Sequence, residues 1–329
     1  MTGISALVMR RLLGSLAVLL VVVVGVFFLL EAAPGDAVDA YLVSASGGDA
    51  GLIGALRQAW GLDRSPLARL GAYLWSLAHL DLGHSVAFGR PIATLIAERL
   101  PTTLLLMGAA TLLAFSLGAL LGLAAGNRPG GRLDRALSVG SLALYAVPGF
   151  WLGLVLTVVF AVDLRWLPSS GLEEIASGKA GLARALDIAR HLVLPVTALG
   201  AIYMALYLRM MRAGMAEVWR QDFVLAAQAR GIPRRRLVLR HVARNAMLPL
   251  VTMLGVQCAQ MLGGSVVIET VFSIPGLGRL AAEAVGKRDT PLLLGVILVS
   301  AVMVILANLA VDLLYGALDP RVDPTGRRR

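Results

Sequence analysis

The sequence has a single cysteine, only two lysines and few charged residues, and each shortage excludes a class of function. One cysteine, Cys258, cannot form an intrachain disulfide or a cysteine zinc site. Neither Lys179 nor Lys287 completes a G-x4-G-K-[ST] loop, so the chain cannot supply a Walker A nucleotide site. The four histidines are not clustered with metal-ligand spacing. The apolar runs lack paired aspartates, a serine–histidine pair and an H-E-x2-H motif, which argues against an intramembrane enzyme. We therefore predict no catalytic residue, no metal site and no cofactor held by this chain.

Long apolar runs dominate the sequence. Hydrophobic residues make up 58% of the 329 and the mean hydropathy is +0.79, well above that of soluble domains. A bilayer-spanning helix needs about 20 apolar residues. Six runs meet this length, near residues 9–31, 101–126, 137–162, 192–215, 246–270 and 291–315. The first run is longer than a signal-peptide core, and Glu31-Ala32-Ala33-Pro34 is a poor cleavage site because of its proline, so we expect the run to be retained. The sequence predicts an all-α polytopic membrane protein.

The distribution of charge predicts which side each loop faces. The N-terminus, 127–136, 209–245 and 316–329 together hold 18 Lys or Arg and five acidic residues. The alternate loops, 31–100, 163–190 and 269–290, hold 12 Lys or Arg and 14 acidic residues. Because basic loops stay cytoplasmic, both termini are expected in the cytoplasm. The net charge of +10 is thus explained by membrane topology, and nucleic acid is not an expected partner.

The most basic of these loops contains the stretch DFVLAAQARGIPRRRLVLRHVARNAMLP, residues 222–249. Asp222 is a good N-cap residue, and Phe223, Ala226, Ala227 and Arg230 share one face of a helix of about 8 residues. Gly231 stands where a left-handed C′ residue is needed, and Arg230 complements the helix C-terminus. Pro233 fits the first turn of a second, arginine-rich helix that continues into the fifth span.

The first of these two helices is too short to be stable alone, so it needs a surface to dock on. We expect it to expose small alanines for that purpose. The arginines that follow support a second interpretation, in which the loop binds anionic lipids. Physical argument alone leaves docking and lipid binding open.

At these residues the chain resembles the permeases of ATP-binding-cassette importers, in their dipeptide/oligopeptide/nickel branch. Ala226, Ala227 and Gly231 match the Ala-Ala-x3-Gly core of the family's EAA loop, although Leu225 stands where the general motif has glutamate. Three further segments are similar to segments of the branch: RHVARNAMLP (240–249), GGSVVIETVFSIPGLGRL (263–280) and NLAVDLLYGALDPRV (308–322). The resemblance extends over nearly the whole chain.

The resemblance implies a six-span, type I importer permease fold. It divides the chain into a first span with an external segment (1–98), a permease core (99–315) with a coupling loop (216–245), and a cytoplasmic tail (316–329). It implies a bacterial inner-membrane complex with a second permease, two ATPase subunits that bind ATP and Mg, and an external solute-binding protein. The residues that would couple to the ATPase are Asp222, Ala226, Ala227, Arg230, Gly231 and Pro233.

The substrate implied by the resemblance is a di- or oligopeptide, with nickel complexes and glutathione as alternatives. A self-sufficient secondary transporter is the alternative of a different class, but it would predict inverted repeats and buried charge pairs. The sequence shows no clear internal repeat and almost no charge within the spans.

A few polar residues do lie within the predicted spans, where such groups are costly. Four of them lie in the fifth span: Gln257, Gln260, Ser265 and Glu269. These side chains could line the substrate path or form interhelical hydrogen bonds, and both interpretations stay open. Asn308 and Asp312 share one face of the last span and favour a packing role. Gly118, Gly122 and Gly126 form a small-x3-small stripe that predicts close helix contact.

Overall fold

The structure, a computed structural model, describes residues 3–32, 38, 58, 63–175 and 177–318, and the named secondary-structure elements of these residues are all helices. Side chains are described from residue 14 to residue 311 of these ranges. The tail beyond residue 318 and most of the external segment 33–62 lie outside this description, as do the side chains of Arg10, Arg11 and Asp312. The chain forms two compact units, one of Met1–Thr103 and Pro275–Leu306 and the other of Leu104–Ile274 and Ala307–Arg329.

The helices follow the predicted order, with shorter helices between the long ones. In chain order they are α1 (Gly3–Glu31), α2 (Pro66–Ala78), α3 (Ile92–Asn127), α4 (Arg132–Ala146), α5 (Gly149–Asp163), α6 (Gly181–Val218), α7 (Asp222–Ala229), α8 (Arg234–Val271), α9 (Leu277–Gly286) and α10 (Thr290–Leu318). Helix α5 ends in a π-helical segment from Thr157 to Asp163, and α8 contains another from Leu237 to Val242.

Five of these helices are long and apolar enough to cross a membrane, namely α1, α3, α6, α8 and α10. The predicted third span, 137–162, is not one straight helix. It consists of α4 and α5, which are bent by 100° at the break between them. Pro148 causes the break because it lacks a backbone N–H and holds Val147 in an extended conformation, with φ −80° and ψ 128°. The described residues thus contain up to six candidate spans if this bent pair counts as one.

The unit that contains the N-terminus has its core between α9 and parts of α3 and α10. Ile92, Leu95, Leu277, Leu280 and Leu292 are buried there. Buried Asp289 accepts hydrogen bonds from the Ser85 hydroxyl at 2.5 Å and the Ala87 N–H at 2.9 Å. These bonds satisfy a carboxylate that would otherwise be costly to bury, and they fix the segment that leads into α3.

Helix α2 of the same unit lies in the segment that the sequence predicts to be external. Ser65 is its N-cap, and the Ser65 hydroxyl oxygen accepts a hydrogen bond from the Ala68 N–H at 3.4 Å. Leu70 is buried against Phe27 and Leu294, whereas Trp75 is exposed. The apolar face of α2 thus packs on the spans, which is the arrangement of a small helical cap.

The second unit is built on close contacts between α3 and α6. A Cβ placed on Gly118 would lie 2.6 Å from the Tyr207 Cβ, and one on Gly122 would lie 2.6 Å from the Leu208 carbonyl oxygen. A Cβ on Gly126 would likewise lie 2.8 Å from the Met215 Cβ. No larger side chain fits at these distances. The prediction that this glycine stripe allows close helix packing is confirmed.

The end of α10 contacts α8 at a glycine. Asn308 Oδ1 lies 2.3 Å from the place that a Cβ on Gly255 would occupy, and the Asn308 Cα lies 3.6 Å from it. The two helix backbones therefore approach closely at this point. This contact supports the packing role expected for Asn308.

Candidate functional site

The loop between α6 and α8 holds a short helix, α7, whose length of 8 residues matches the prediction. Its start differs from the prediction. The N-cap is Gln221, with φ −82° and ψ 145°, and no side chain caps the helix there. Asp222 is instead the first helical residue, where its negative charge complements the positive end of the helix dipole.

The C-terminus of α7 is closed by a Schellman motif at Gly231. The Ile232 N–H donates to the Ala227 carbonyl at 3.2 Å, and the Gly231 N–H donates to the Gln228 carbonyl at 2.9 Å. Gly231 has φ +70°, and no atom lies within 4 Å of the position its Cβ would take. The glycine is thus required by backbone conformation and not by space, as the sequence predicted.

Pro233 lies just before the next helix and not within its first turn. It is the N-cap of the Arg234–Arg236 turn that begins α8, with φ −57° and ψ 137°. The helix then continues through the π-helical segment into the apolar part of α8, so the predicted run from arginines into the span is confirmed. Arg230, the C-cap of α7, is exposed.

The two faces of α7 differ from those expected. Val224 and Ala227 are buried, at 0% and 8% exposure, and α7 packs against the π-helical segment of α8. The prediction that Ala227 is exposed is therefore wrong. The outward face consists of Leu225, Ala226 and Ala229, because residues at i, i+1 and i+4 lie together opposite the buried pair.

Leu225 and Ala229 were not among the residues predicted to couple. Leu225 is 57% exposed and Phe223, at the edge of the face, is 40% exposed, so α7 presents large apolar side chains to its surroundings. The sequence contained a signal for this surface. An eight-residue helix needs only one apolar stripe that faces inward, so a large apolar residue off that stripe, such as Leu225, has to face outward. Which stripe points inward depends on contacts from elsewhere in the chain.

Two side chains attach the coupling loop to the end of α3. The Trp219 indole Nε1 donates to the Gly126 carbonyl at 3.2 Å. The Arg234 guanidinium Nη2 donates to the Asn127 carbonyl at 2.6 Å, and its central carbon lies 5.4 Å from the centroid of the Trp219 ring. We call Trp219, Arg234 and the two carbonyls that they bind the Trp–Arg clamp. The last carbonyls of a helix have no partner within it, and the clamp satisfies two of them.

An ion pair fixes the neighbouring turn between α3 and α4. Buried Asp134 is paired with Arg212 of α6, whose Nη2 donates to Asp134 Oδ2 at 2.9 Å. The same carboxylate oxygen accepts from the Gly130 N–H at 2.8 Å. The end of α3, the start of α4 and the end of α6 are thereby held together beside the coupling loop.

The polar residues of α8 do not all lie on one face. Gln257, Ser265 and Glu269 are buried, with 3%, 0% and 0% exposure, and are spaced so that they follow one side of the helix. Gln260 is exposed and lies off that face. The Ser265 hydroxyl donates to the Leu262 carbonyl at 2.9 Å. Gln257 Oε1 has no hydrogen-bond partner among the described residues.

Comparison with known proteins places these features in a family. Residues 118–324 match the family model described as binding-protein-dependent transport system inner membrane component. The oligopeptide transport system permease protein AppB of Bacillus subtilis (strain 168) is 34% identical over 324 residues, which covers 97% of this chain and 99% of that protein. The glutathione transport system permease protein GsiC of Salmonella paratyphi A is 36% identical over 318 residues, with 96% and 98% covered.

Solved structures show the same fold. A chain of the MetNI methionine ABC transporter in an inward-facing conformation aligns with a TM-score of 0.54 at 18% identity, over 68% of this chain and 96% of that one. A second crystal form of the same transporter gives a TM-score of 0.55. The predicted all-α polytopic fold of a type I importer permease is confirmed.

Proposed function

The chain belongs to the family of binding-protein-dependent transport system inner membrane components, and from this premise we propose that it forms half of a peptide translocation path driven by partner ATPases. It is the permease component of an ABC importer. In the proposal a second, similar permease forms the other half of the path. Two ATPase subunits bind ATP and Mg, and an external solute-binding protein delivers the substrate.

The observation that carries the coupling part of the proposal is the outward face of α7. Leu225, Ala226 and Ala229 are exposed on a helix that is anchored from behind by Val224 and Ala227. An exposed apolar surface on a short, firmly attached helix favours docking to another protein. The Schellman turn at Gly231 and the Trp–Arg clamp connect this helix to two spans. Movement of a docked ATPase would be transmitted to α8 through the Schellman turn and to α3 through the Trp–Arg clamp.

The proposed substrate is a di- or oligopeptide. The support is that relatives aligned over nearly their full length are named for oligopeptide and glutathione transport, and glutathione is itself a tripeptide. Nickel complexes are the alternative class that the sequence resemblance leaves. Buried Gln257 and Glu269 are proposed to face the substrate path, because amides and carboxylates pair with the amide and amino groups of a peptide.

The proposed orientation places both termini, the α3–α4 turn and the coupling loop in the cytoplasm. The support is the excess of arginine on that set of loops. The clamp and the Asp134–Arg212 pair then lie on the side where ATP is hydrolysed.

Purification from the native membrane tests this proposal. A tagged chain is extracted in mild detergent and the accompanying proteins are identified by mass spectrometry. Two ATPases and a second polytopic subunit are expected, with uptake of labelled peptide in liposomes only when ATP and a binding protein are supplied. Recovery of the chain alone, with ATP-independent uptake, would show a secondary transporter and overturn the proposal.

A further inference from the structure

The first turns of α8 form a groove that is separate from the outward face of α7. Its volume is about 640 Å³, and three of its lining residues are cationic or can become so: Arg240, His241 and Arg244. Farther along the same helix the lining is apolar, with Met247, Leu248 and Val251. From Arg244 to Val251 the helix rises about 10 Å. The cationic residues thus all lie at the start of the groove, where Leu239 and Ala243 also line it, and the end toward the spanning part of α8 is apolar throughout.

The cations of the groove have no counter-charge within the described part of the chain. No carboxylate is among the residues that line the groove. The ion pairs found among residues 14–311 do not include Arg240 or Arg244. Both arginines are exposed. Two neighbouring guanidinium groups with no anion between them favour a ligand that brings a negative charge.

The π-helical segment contributes to this arrangement. It runs from Leu237 to Val242 and therefore includes Arg240 and His241. Its buried residues, Leu237, Val238 and Val242, hold it against the protein. A π-helical turn shifts side chains out of the α-helical register and is often found at functional sites. Here it sets the register between Arg240 and the cation one turn later, Arg244.

We propose that this groove binds one anionic phospholipid. The phosphate lies between Arg240 and Arg244, and an acyl chain follows Met247, Leu248 and Val251. A ligand with a charged head and an apolar tail matches a lining that changes in this order along one helix. The two interpretations of the loop that the sequence leaves open are then both correct for different residues: α7 docks to protein, and the start of α8 binds lipid.

Native mass spectrometry of the full-length chain, with any subunits that accompany it, tests the proposal. The probe is a nanodisc or mixed micelle that holds phosphatidylglycerol and phosphatidylcholine in equal amounts. Wild-type protein is expected to retain one phosphatidylglycerol in preference to phosphatidylcholine. In the double variant R240Q/R244Q this preference falls by about 30-fold, since each basic group near a lipid phosphate contributes about a factor of five.

Two further variants separate the groove from general surface charge. R235Q/R236Q removes the same charge from the same loop but outside the groove, and it is expected to keep the wild-type preference. Leu248→Trp fills the apolar part without changing charge, and it is expected to lower retention of both lipids. Circular dichroism confirms that each variant is folded before it is compared.

Several results would overturn the proposal. Equal retention of the two lipids by the wild type would do so, as would equal losses in R240Q/R244Q and R235Q/R236Q. A photocrosslinker at Met247 that captures an accompanying subunit and no phospholipid would show that the occupant is protein. Because lipid retention is measured without transport, failure here is distinct from failure of the importer proposal.

Discussion

Arg234 donates a hydrogen bond from its guanidinium to the main-chain carbonyl of Asn127, 107 positions earlier in the sequence, at 2.6 Å. The same guanidinium lies over the ring of Trp219, which itself binds the Gly126 carbonyl. The residue that opens α8 is therefore attached to the residue that ends α3. Any displacement of the coupling loop has to break this connection or carry α3 with it.

The first prediction is that Arg234→Ala uncouples ATP hydrolysis from transport. A hydrogen bond from a charged donor contributes about 1.5–3 kcal/mol and a cation–π contact about 0.5–1 kcal/mol, so their loss removes the link between α8 and the end of α3 and leaves only the Trp219 hydrogen bond of the clamp. The ATPases are expected to remain bound and active, while peptide uptake per ATP in proteoliposomes falls several-fold. Arg235→Ala, one residue away, is the control and is expected to keep the wild-type ratio. An unchanged ratio in Arg234→Ala would remove the clamp from the mechanism.

The second prediction concerns the outward face of α7. Ala226→Trp is expected to reduce co-purification of the ATPases at least tenfold, which corresponds to about 1.4 kcal/mol, because the indole occupies the space of the docked partner. Ala180→Trp makes the same change at an exposed alanine in the 163–180 loop and is expected to have no effect. Full recovery of the ATPases with Ala226→Trp would place the docking surface elsewhere.

Ala227→Trp is expected to act differently from Ala226→Trp, although the two alanines are adjacent. Ala227 is buried, and overfilling a packed site costs about 1–3 kcal/mol. The melting temperature of the detergent-solubilised chain should fall for Ala227→Trp and stay unchanged for Ala226→Trp. Equal effects on melting would mean that the two faces of α7 are assigned incorrectly.

The third prediction uses the left-handed conformation of Gly231. Gly231→Val is expected to impair coupling, because a β-branched residue at φ +70° is strained by at least about 1–2 kcal/mol. Gly231→Asn, which tolerates this conformation, is expected to retain most of the uptake. No atom lies within 4 Å of the added Cβ, so the two variants differ in backbone preference and not in crowding. Similar uptake by both variants would argue against a required Schellman turn.

Features that depend on neighbouring residues could be predicted from the sequence. The length of α7 and the turn at Gly231 follow from a few adjacent residue types, and the α3 stripe follows from spacing by four. The bend at Pro148 could not be predicted in this way. Pro101, Pro195 and Pro249 also lie in apolar runs, yet α3, α6 and α8 continue through them. Membrane helices tolerate proline where other groups satisfy the freed carbonyl, and that depends on the neighbouring helices.

The candidate site was predicted less completely than the fold for the same reason. An eight-residue helix has several plausible apolar stripes, and the long-range contact with the π-helical segment decides that Val224 and Ala227 face inward. Trp219 and Arg234 carry no local signal for a clamp, because their acceptors are main-chain carbonyls at the end of another helix. Main-chain acceptors are available at every helix end, so sequence cannot identify the ones that are used.

The fourth prediction tests the packing of α3 on α6. Gly122→Leu is expected to lower the melting temperature sharply or prevent accumulation of the protein, since even the Cβ would lie 2.6 Å from a carbonyl oxygen of α6. Gly108→Leu lies on the same helix at a position with nothing within 4 Å and is expected to be tolerated. Leucine has the higher helix propensity, so a similar loss of stability in both variants would indicate that close contact with α6 is not the cause.

The last prediction distinguishes a transport role from a packing role for Gln257. Its side-chain oxygen is buried without a hydrogen-bond partner among the described residues, so Gln257→Leu removes an unsatisfied acceptor and keeps most of the volume. The melting temperature is therefore expected to stay the same or rise. If Gln257 contacts the peptide, the KM for ATP-dependent uptake rises in the same variant. Ser265→Ala is expected to change the KM less, because the Ser265 hydroxyl already binds the Leu262 carbonyl. A lower melting temperature with an unchanged KM would show that Gln257 serves helix packing alone.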